Sequence, residues 1–363
     1  MKLWQIAALL AAGVVYGIAQ PGQLTYAFGH ATLYVLLPAL LFEASWEIRL
    51  RALARTWQAI VVLVIPGVAL TVVLIAGALA VVRIPIGAGL IAGAILAATD
   101  PISVIAVFRR VRVPLLLRTI VEGESLFNDA IAFALYRAAL VAVIAASWTP
   151  SALVHVSLYA LMGSAAGILT GIAFAFVAAL ALRNRNDQRL QIAATILCAY
   201  GAYFTAEFFD WSGIFATIAA GIALRWLERR WISLSVAEEV AHVWDILALI
   251  ANALVFFLVG AALNVRIIAD QWIFVVAALT GVLFARVALS GLLLPFGYPR
   301  AWLDVLRAAG VRGALSLALA IAIPAGVPYR EAVVAATFAV ALATIVSSVF
   351  TVPQVVARAG RAR

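Results

Sequence analysis

The chain has 363 residues, 66% of them hydrophobic and 11% charged, with a formal net charge of +9. Its mean hydropathy of +1.13 and isoelectric point near 10.3 exclude a soluble globular domain, which needs far more polar surface to cover a core of this size. The lone Cys198 excludes an internal disulfide and argues against a thiolate metal cluster.

Apolar stretches of about 18 residues or more recur along the whole chain, each long enough to cross ~30 Å of hydrocarbon. The first, 3–20, follows Lys2 and leads into Gln20-Pro21-Gly22 without a small-residue cleavage site, so it reads as a transmembrane helix and not a signal peptide. The other predicted spans are 28–46, 57–82, 87–108, 115–147, 152–182, 188–209, 211–228, 238–264, 270–296, 301–324 and 330–355, about twelve in all. Eighteen of the twenty-five basic residues fall in loops assigned to one side. They include Lys2, Arg49, Arg51, Arg55, Arg109, Arg110, Arg112, Arg118, Arg183, Arg185, Arg189, Arg225, Arg229, Arg230, Arg300, Arg358, Arg361 and Arg363. The opposite loops hold Arg83, Arg266 and Arg330. This alternation follows the positive-inside bias and predicts a multi-pass protein of the cell (inner) membrane with both termini cytoplasmic. The basic loops face anionic lipid. Spread in threes over short loops, they do not make a nucleic-acid surface.

Spans 57–147 and 270–355 are triples of helices with opposite predicted topology, and the middle member of each is interrupted. The first breaks at Thr99-Asp100-Pro101, where proline removes a backbone donor and pushes its neighbour out of the helical region. The second carries Gly310-Val311-Arg312-Gly313, where two glycines loosen the helix. Breaks at matching places of inverted repeats point to a transport site. The same pattern predicts one transmembrane domain over 1–363, with an inverted-repeat core at 57–147 and 270–355. Gly13 and Gly17, and Gly163, Gly167 and Gly171, recur every four residues and predict close helix packing, within the chain or between two chains.

The charges inside the apolar segments carry the chemistry. A carboxylate near the bilayer centre is costly and is rarely kept without a function. Asp129 lies about 14 residues into its span, or about 21 Å along the axis, and Asp100 lies at a similar depth. Ser125 and Asp129 share one helix face, and Glu124 and Asn128 the adjacent one. A small hard cation takes oxygen ligands, and Asp129, Ser125, Thr99 and Glu43 supply them for Na⁺. One carboxylate holds a proton or Na⁺ but not both, which suffices for exchange. The competing reading of Asp129 is an ion pair with Arg312. Glu124 has the same reach, so Glu124–Arg312 is the expected structural pair and Asp129 is left to the ion.

Leu41-Phe42-Glu43-Ala44, Ala98-Thr99-Asp100-Pro101, Glu122-Gly123-Glu124-Ser125-Leu126-Phe127-Asn128-Asp129 and Gly310-Val311-Arg312-Gly313-Ala314-Leu315-Ser316-Leu317 resemble, in order, the signatures of the sodium/proton exchanger branch of the monovalent cation/proton antiporters. The resemblance covers nearly the whole chain. It implies an all-α sodium/proton antiporter fold with interrupted crossing helices, a homodimer, and an elevator-like motion of the core against a scaffold or dimerisation part at 1–56 and 148–269. Asp129 would carry the ion and proton, with Thr99, Ser125 and Glu43 at the cation. Asp100 and Asn128 would steady the crossing helices, and Glu124 and Arg312 would pair. Relatives with Asn-Asp at 128–129 exchange one cation for one proton, so the expected activity is electroneutral Na⁺ (or Li⁺)/H⁺ antiport, with K⁺(Na⁺)/H⁺ antiport as the alternative. Many members carry one more N-terminal helix ahead of the Glu43 motif. No cofactor is expected beyond the transported ions.

An intramembrane aspartyl enzyme is the reading from another class, but its Tyr-Asp and Gly-x-Gly-Asp strings do not occur. The three histidines, His30, His155 and His242, are too shallow for a serine protease. Glu122 is expected at the cytoplasmic entrance, and Glu207, Asp245 and Asp304 near helix ends, solvated or paired. Trp4, Trp46, Trp57, Trp148, Trp211 and Trp302 are expected in an interfacial belt.

Overall fold

The computed structural model describes residues 3–20, 32–108, 111, 113–145, 150–183, 187–228, 234–261 and 265–361, and among these every regular element is helical. In chain order they are α1 (Leu3–Ala19), α2 (Leu37–Glu47, entered through a π-helical turn at Thr32–Leu36), α3 (Leu50–Val64), α4 (Pro66–Val81), α5 (Ile86–Ala97) and α6 (Ile102–Phe108). Next come α7 (Leu115–Ile144), α8 (Pro150–Leu182), α9 (Gln188–Phe208), α10 (Gly213–Glu228), α11 (Leu234–Ala261) and α12 (Val265–Asp270). The last are α13 (Trp272–Leu292), α14 (Arg300–Ala308), α15 (Ala314–Ala322) and α16 (Arg330–Arg361).

Six stretches are by themselves long and apolar enough to cross a membrane: Leu50–Val81, Leu115–Ile144, Ser157–Leu182, Ala237–Ala261, Trp272–Phe296 and Arg330–Ala359. Shorter apolar helices join them at Ala8–Ala19, Ile86–Ala97 and Gly213–Leu227. The predicted spans 87–108 and 301–324 are each two short helices on either side of a break, so neither qualifies by length alone. The predicted span 57–82 starts earlier, at Leu50. Arg51 and Arg55, expected in a loop, lie on the exposed face of α3, whose other face buries Ala52, Thr56, Ala59, Ile60 and Leu63. The start of span 28–46, the ends of 115–147 and 238–264, and Lys2, His30, Arg109, Arg110, Arg112, Trp148, Arg185, Arg229, Arg230 and Arg363 lie outside the described residues.

The chain divides into two compact units, Met1–His30 with Arg51–Trp148 and Val255–Arg363, and Ala31–Leu50 with Thr149–Leu254. In the first, Gly13 and Gly17 of α1 lie against the backbone of Phe257 and Ala261. Helix α4 packs between α5 and α13, with Gly93 set on Val72 and Gly281 on Ile75. Leu117, Ile120, Val121, Leu293, Leu303, Val305 and Val356 close one end as a common core. In the second unit, Gly167 and Gly171 bring α8 onto the backbone of Ser212 and Ala216. Both glycine stripes are thus used within the chain. Helix α9 is capped by Asp187, whose carboxylate accepts the Arg189 and Leu190 N–H groups at 2.8 and 3.3 Å. Glu207 accepts the Gly213 N–H at 2.9 Å and so starts α10.

The tryptophan belt holds only in part. Trp57 is exposed, but Trp46 and Trp302 are core residues. Trp46 stacks on Phe42, and the Arg225 guanidinium lies 5.1 Å above its ring. Trp302 stacks on Tyr298 at 5.4 Å. Both indoles lie near helix ends, but position along the chain did not reveal that neighbouring side chains cover them. His155 and His242 are exposed.

Candidate cation and proton site

Two interrupted helices meet in the first unit. α5 ends at Ala97, Ala98 turns to extended backbone (φ −61°, ψ 137°), and α6 starts after Pro101. Proline disfavours helical backbone at the residue before it, which places the break at Asp100. The second break, Ala309–Gly313, separates α14 from α15. The two breaks hydrogen-bond to each other. Asp100 N–H donates to the Val311 carbonyl at 2.8 Å, and the Ser316 hydroxyl donates to the Ala98 carbonyl at 3.2 Å. These bonds satisfy backbone groups that unwinding would otherwise leave bare in lipid. Gly313 packs directly on the Asp100 side chain, with no room for a Cβ. The N-terminal end of α15, which carries partial positive charge, therefore sits on a carboxylate.

Helix α7 crosses beside the first break and brings its polar face to it. Thr99 and Ser125 hydroxyls lie 3.3 Å apart. The Asn128 amide donates to Thr99 Oγ1 at 3.0 Å and to Glu124 Oε1 at 3.4 Å. The Thr99 N–H donates to the Asp129 carboxylate, and Asp129 feels the charges of Asp100, Glu124 and Arg312. Thr99, Ser125, Asn128 and Glu124 are all buried. Three oxygens of this face are sealed from solvent and accept no hydrogen bond: Asp129 Oδ1, Asn128 Oδ1 and Glu124 Oε2. Buried oxygens of this kind are normally satisfied, and here they are acceptors only, as a cation requires.

The expected Glu124–Arg312 pair is not formed. Glu124 Oε1 instead receives Arg286 Nη1 from α13 at 3.3 Å. Arg312 lies in the break itself. Its N–H goes to Thr344 Oγ1 at 3.2 Å, and its guanidinium turns back to the Gly310 carbonyl at 3.3 Å. It stays within electrostatic reach of Glu124 and Asp129. Gly310 makes the exchange of partners possible, since a Cβ there would occupy the place of the Arg286 guanidinium. Arg286 was missed although its signal was visible: it is the sole charge in the apolar helix Trp272–Leu292, the same anomaly that marked Asp129.

Of the predicted site residues, Asp129, Asp100, Thr99, Ser125, Asn128, Glu124 and Arg312 come together in one unit. Glu43 belongs to the other, where its carboxylate lies within 4.8 Å of those of Glu47 and Asp245. Glu122 pairs with Arg118 one turn earlier on α7, and Asp304 with Arg307 at 3.0 Å.

The family profile described as "Sodium/hydrogen exchanger, transmembrane" matches residues 2–358. The chain belongs to the sodium/hydrogen exchanger family. It is thus a multi-pass membrane protein of an exchanger family and not an enzyme. It is 32% identical over 343 residues to the Na⁺/H⁺ antiporter ApNhaP of Aphanothece halophytica, covering 90% of this chain and 64% of that relative. It is 29% identical to the Na⁺/H⁺ antiporter NhaH of Halobacillus aidingensis, covering 98% of this chain and 92% of that one. The sodium proton antiporter MjNhaP1 from Methanocaldococcus jannaschii superposes with a TM-score of 0.81 at 20% identity, over 98% of this chain and 92% of the other. This exchanger chain therefore shares the MjNhaP1 fold.

Proposed function

We propose that this exchanger trades Na⁺ or Li⁺ for protons across the membrane, one for one, with Asp129 as the shared carboxylate. The observation that carries this is the set of buried, unpartnered oxygens of Asp129, Asn128 and Glu124 beside two crossed helix breaks. Thr99 and Ser125 hydroxyls complete an oxygen shell of the type alkali cations use.

Charge balance supports the stoichiometry. Asp100, Glu124 and Asp129 against Arg286 and Arg312 leave one unit of negative charge when all five are ionised. One Na⁺ or one H⁺ neutralises it, so each crossing carries a neutral cluster through a medium in which net charge is costly. Asn128, being an amide, adds no second titrating group. The moving body is assigned to 57–147 and 270–355, with 1–56 and 148–269 as the scaffold of a homodimer, termini in the cytoplasm. Both segments of the moving body lie within one compact unit, which also takes in 1–30, 51–56 and 255–269 of the assigned scaffold. The names of the curated relatives, Na⁺/H⁺ antiporters, agree with this activity.

The test is transport by purified protein in liposomes holding a proton gradient. Added Na⁺ or Li⁺ dissipates the gradient with the wild-type protein and not with Asp129→Asn. Normal exchange by that variant refutes the site.

A further inference from the structure

Helix α16 holds α15, the second half of the second interrupted helix, at both of its ends, through side chains that the exchange chemistry does not use. At the break, Thr344 Oγ1 accepts the Arg312 N–H at 3.2 Å and donates to the Ala341 carbonyl at 3.0 Å. At the far end of α15, Arg330 Nε donates to the Ile323 carbonyl at 2.7 Å and Nη2 to the Ile321 carbonyl at 3.4 Å. The last carbonyls of a helix have no partner within it, and a cation there also meets the negative end of the helix dipole. Tyr329 takes a positive φ of 60° immediately before Arg330, a conformation uncommon for a bulky residue. The chain reverses there and α16 begins with Arg330 facing back on α15. Arg330 also lies within electrostatic reach of Tyr136, which is buried on α7 two turns beyond Asp129.

We infer that Thr344 and Arg330 are positioning residues for the ion site: α16 clamps α15 at both ends and so keeps the α15 N-terminus seated on Asp100. This rests on the reading of the crossed breaks as the exchange site. Neither side chain touches a residue assigned to the cation by way of its own oxygen or nitrogen ligand, so both act through α15. Thr344→Val removes the acceptor at nearly constant volume, and Thr344→Ser keeps it. Arg330→Gln removes the charge, and Arg330→Lys keeps the charge with a single donor centre.

Two measurements on the full-length protein in nanodiscs and liposomes decide it. In hydrogen–deuterium exchange, Thr344→Val and Arg330→Gln speed the amides of 309–323 by about three- to tenfold, the worth of one buried hydrogen bond. The amides of α5 keep their rates. In transport, the same variants raise the half-saturating Na⁺ concentration by about the same factor with little change at saturation. Thr344→Ser behaves as wild type, and Arg330→Lys falls between. Unchanged amides at 309–323 overturn the inference. Faster amides with unchanged half-saturation leave only a structural tether and also overturn it. Should Thr344→Val not fold, Arg330→Gln carries the same test at the other end. A wild-type protein that exchanges no Na⁺ for H⁺ refutes the function, while the amide rates still judge the clamp.

Discussion

Glu124 sits within the field of two arginines and bonds to one of them, Arg286. Removing one partner of a buried ion pair strands the other, at a cost of about 3–5 kcal/mol. Arg286→Met is therefore expected to lower the midpoint of thermal unfolding in detergent far more than Arg312→Met, and Glu124→Gln combined with Arg286→Met should recover part of the loss. The reverse order would restore the Glu124–Arg312 pairing. Gly313→Ala places a methyl on the Asp100 side chain. Overpacking of that kind costs about 1–3 kcal/mol, and here it separates the two breaks, so transport should fall before the fold does. Measuring both on one preparation checks this. Asp129, Asp100, Thr99, Ser125 and Asn128 were legible in the sequence because ionisable and hydroxyl groups stand out in apolar segments. The partner of Glu124 was not, because spacing gives depth in the membrane and not the direction in which a guanidinium turns. That direction depends on Gly310, whose missing side chain leaves room for Arg286.

At the scale of elements, the breaks were readable from Pro101 and from the Gly310/Gly313 pair, and both lie where those residues put them. Helix starts were less so. Arg51 and Arg55 looked like loop residues, yet they lie on the exposed face of α3, whose apolar face is buried. A run of charges at a membrane surface does not distinguish a loop from an amphipathic helical turn. Likewise, Trp46 and Trp302 have the composition of interfacial residues, but their burial depends on which helices pack over them. The small-residue stripe on α8 illustrates the same limit, since its spacing fits packing inside or between chains. Gly171 lies on the Ala216 carbonyl with no space for a Cβ. Gly171→Leu should accordingly lower folded yield and thermal stability while leaving the Na⁺ concentration for half-maximal exchange unchanged in the protein that folds. A monomer that stays stable with Leu at this position contradicts the packing.

For the whole molecule, the proposed stoichiometry rests on a balance that no single residue shows: with Asp100, Glu124, Asp129, Arg286 and Arg312 all charged, one Na⁺ or one H⁺ would neutralise the cluster. Exchange in liposomes should then be indifferent to an imposed membrane potential, and a rate that follows the potential would demand a second transported charge. Acidification should raise the Na⁺ concentration needed for half-maximal exchange, because the proton competes for the same carboxylate. The most direct measurement is calorimetric. Na⁺ is titrated into the purified protein in buffers of differing ionisation enthalpy, which yields the number of protons released per Na⁺ bound. One proton per Na⁺ is expected, with both binding and release lost in Asp129→Asn. Na⁺ binding without proton release, or release that survives that substitution, would contradict a single carboxylate shared by the two ions.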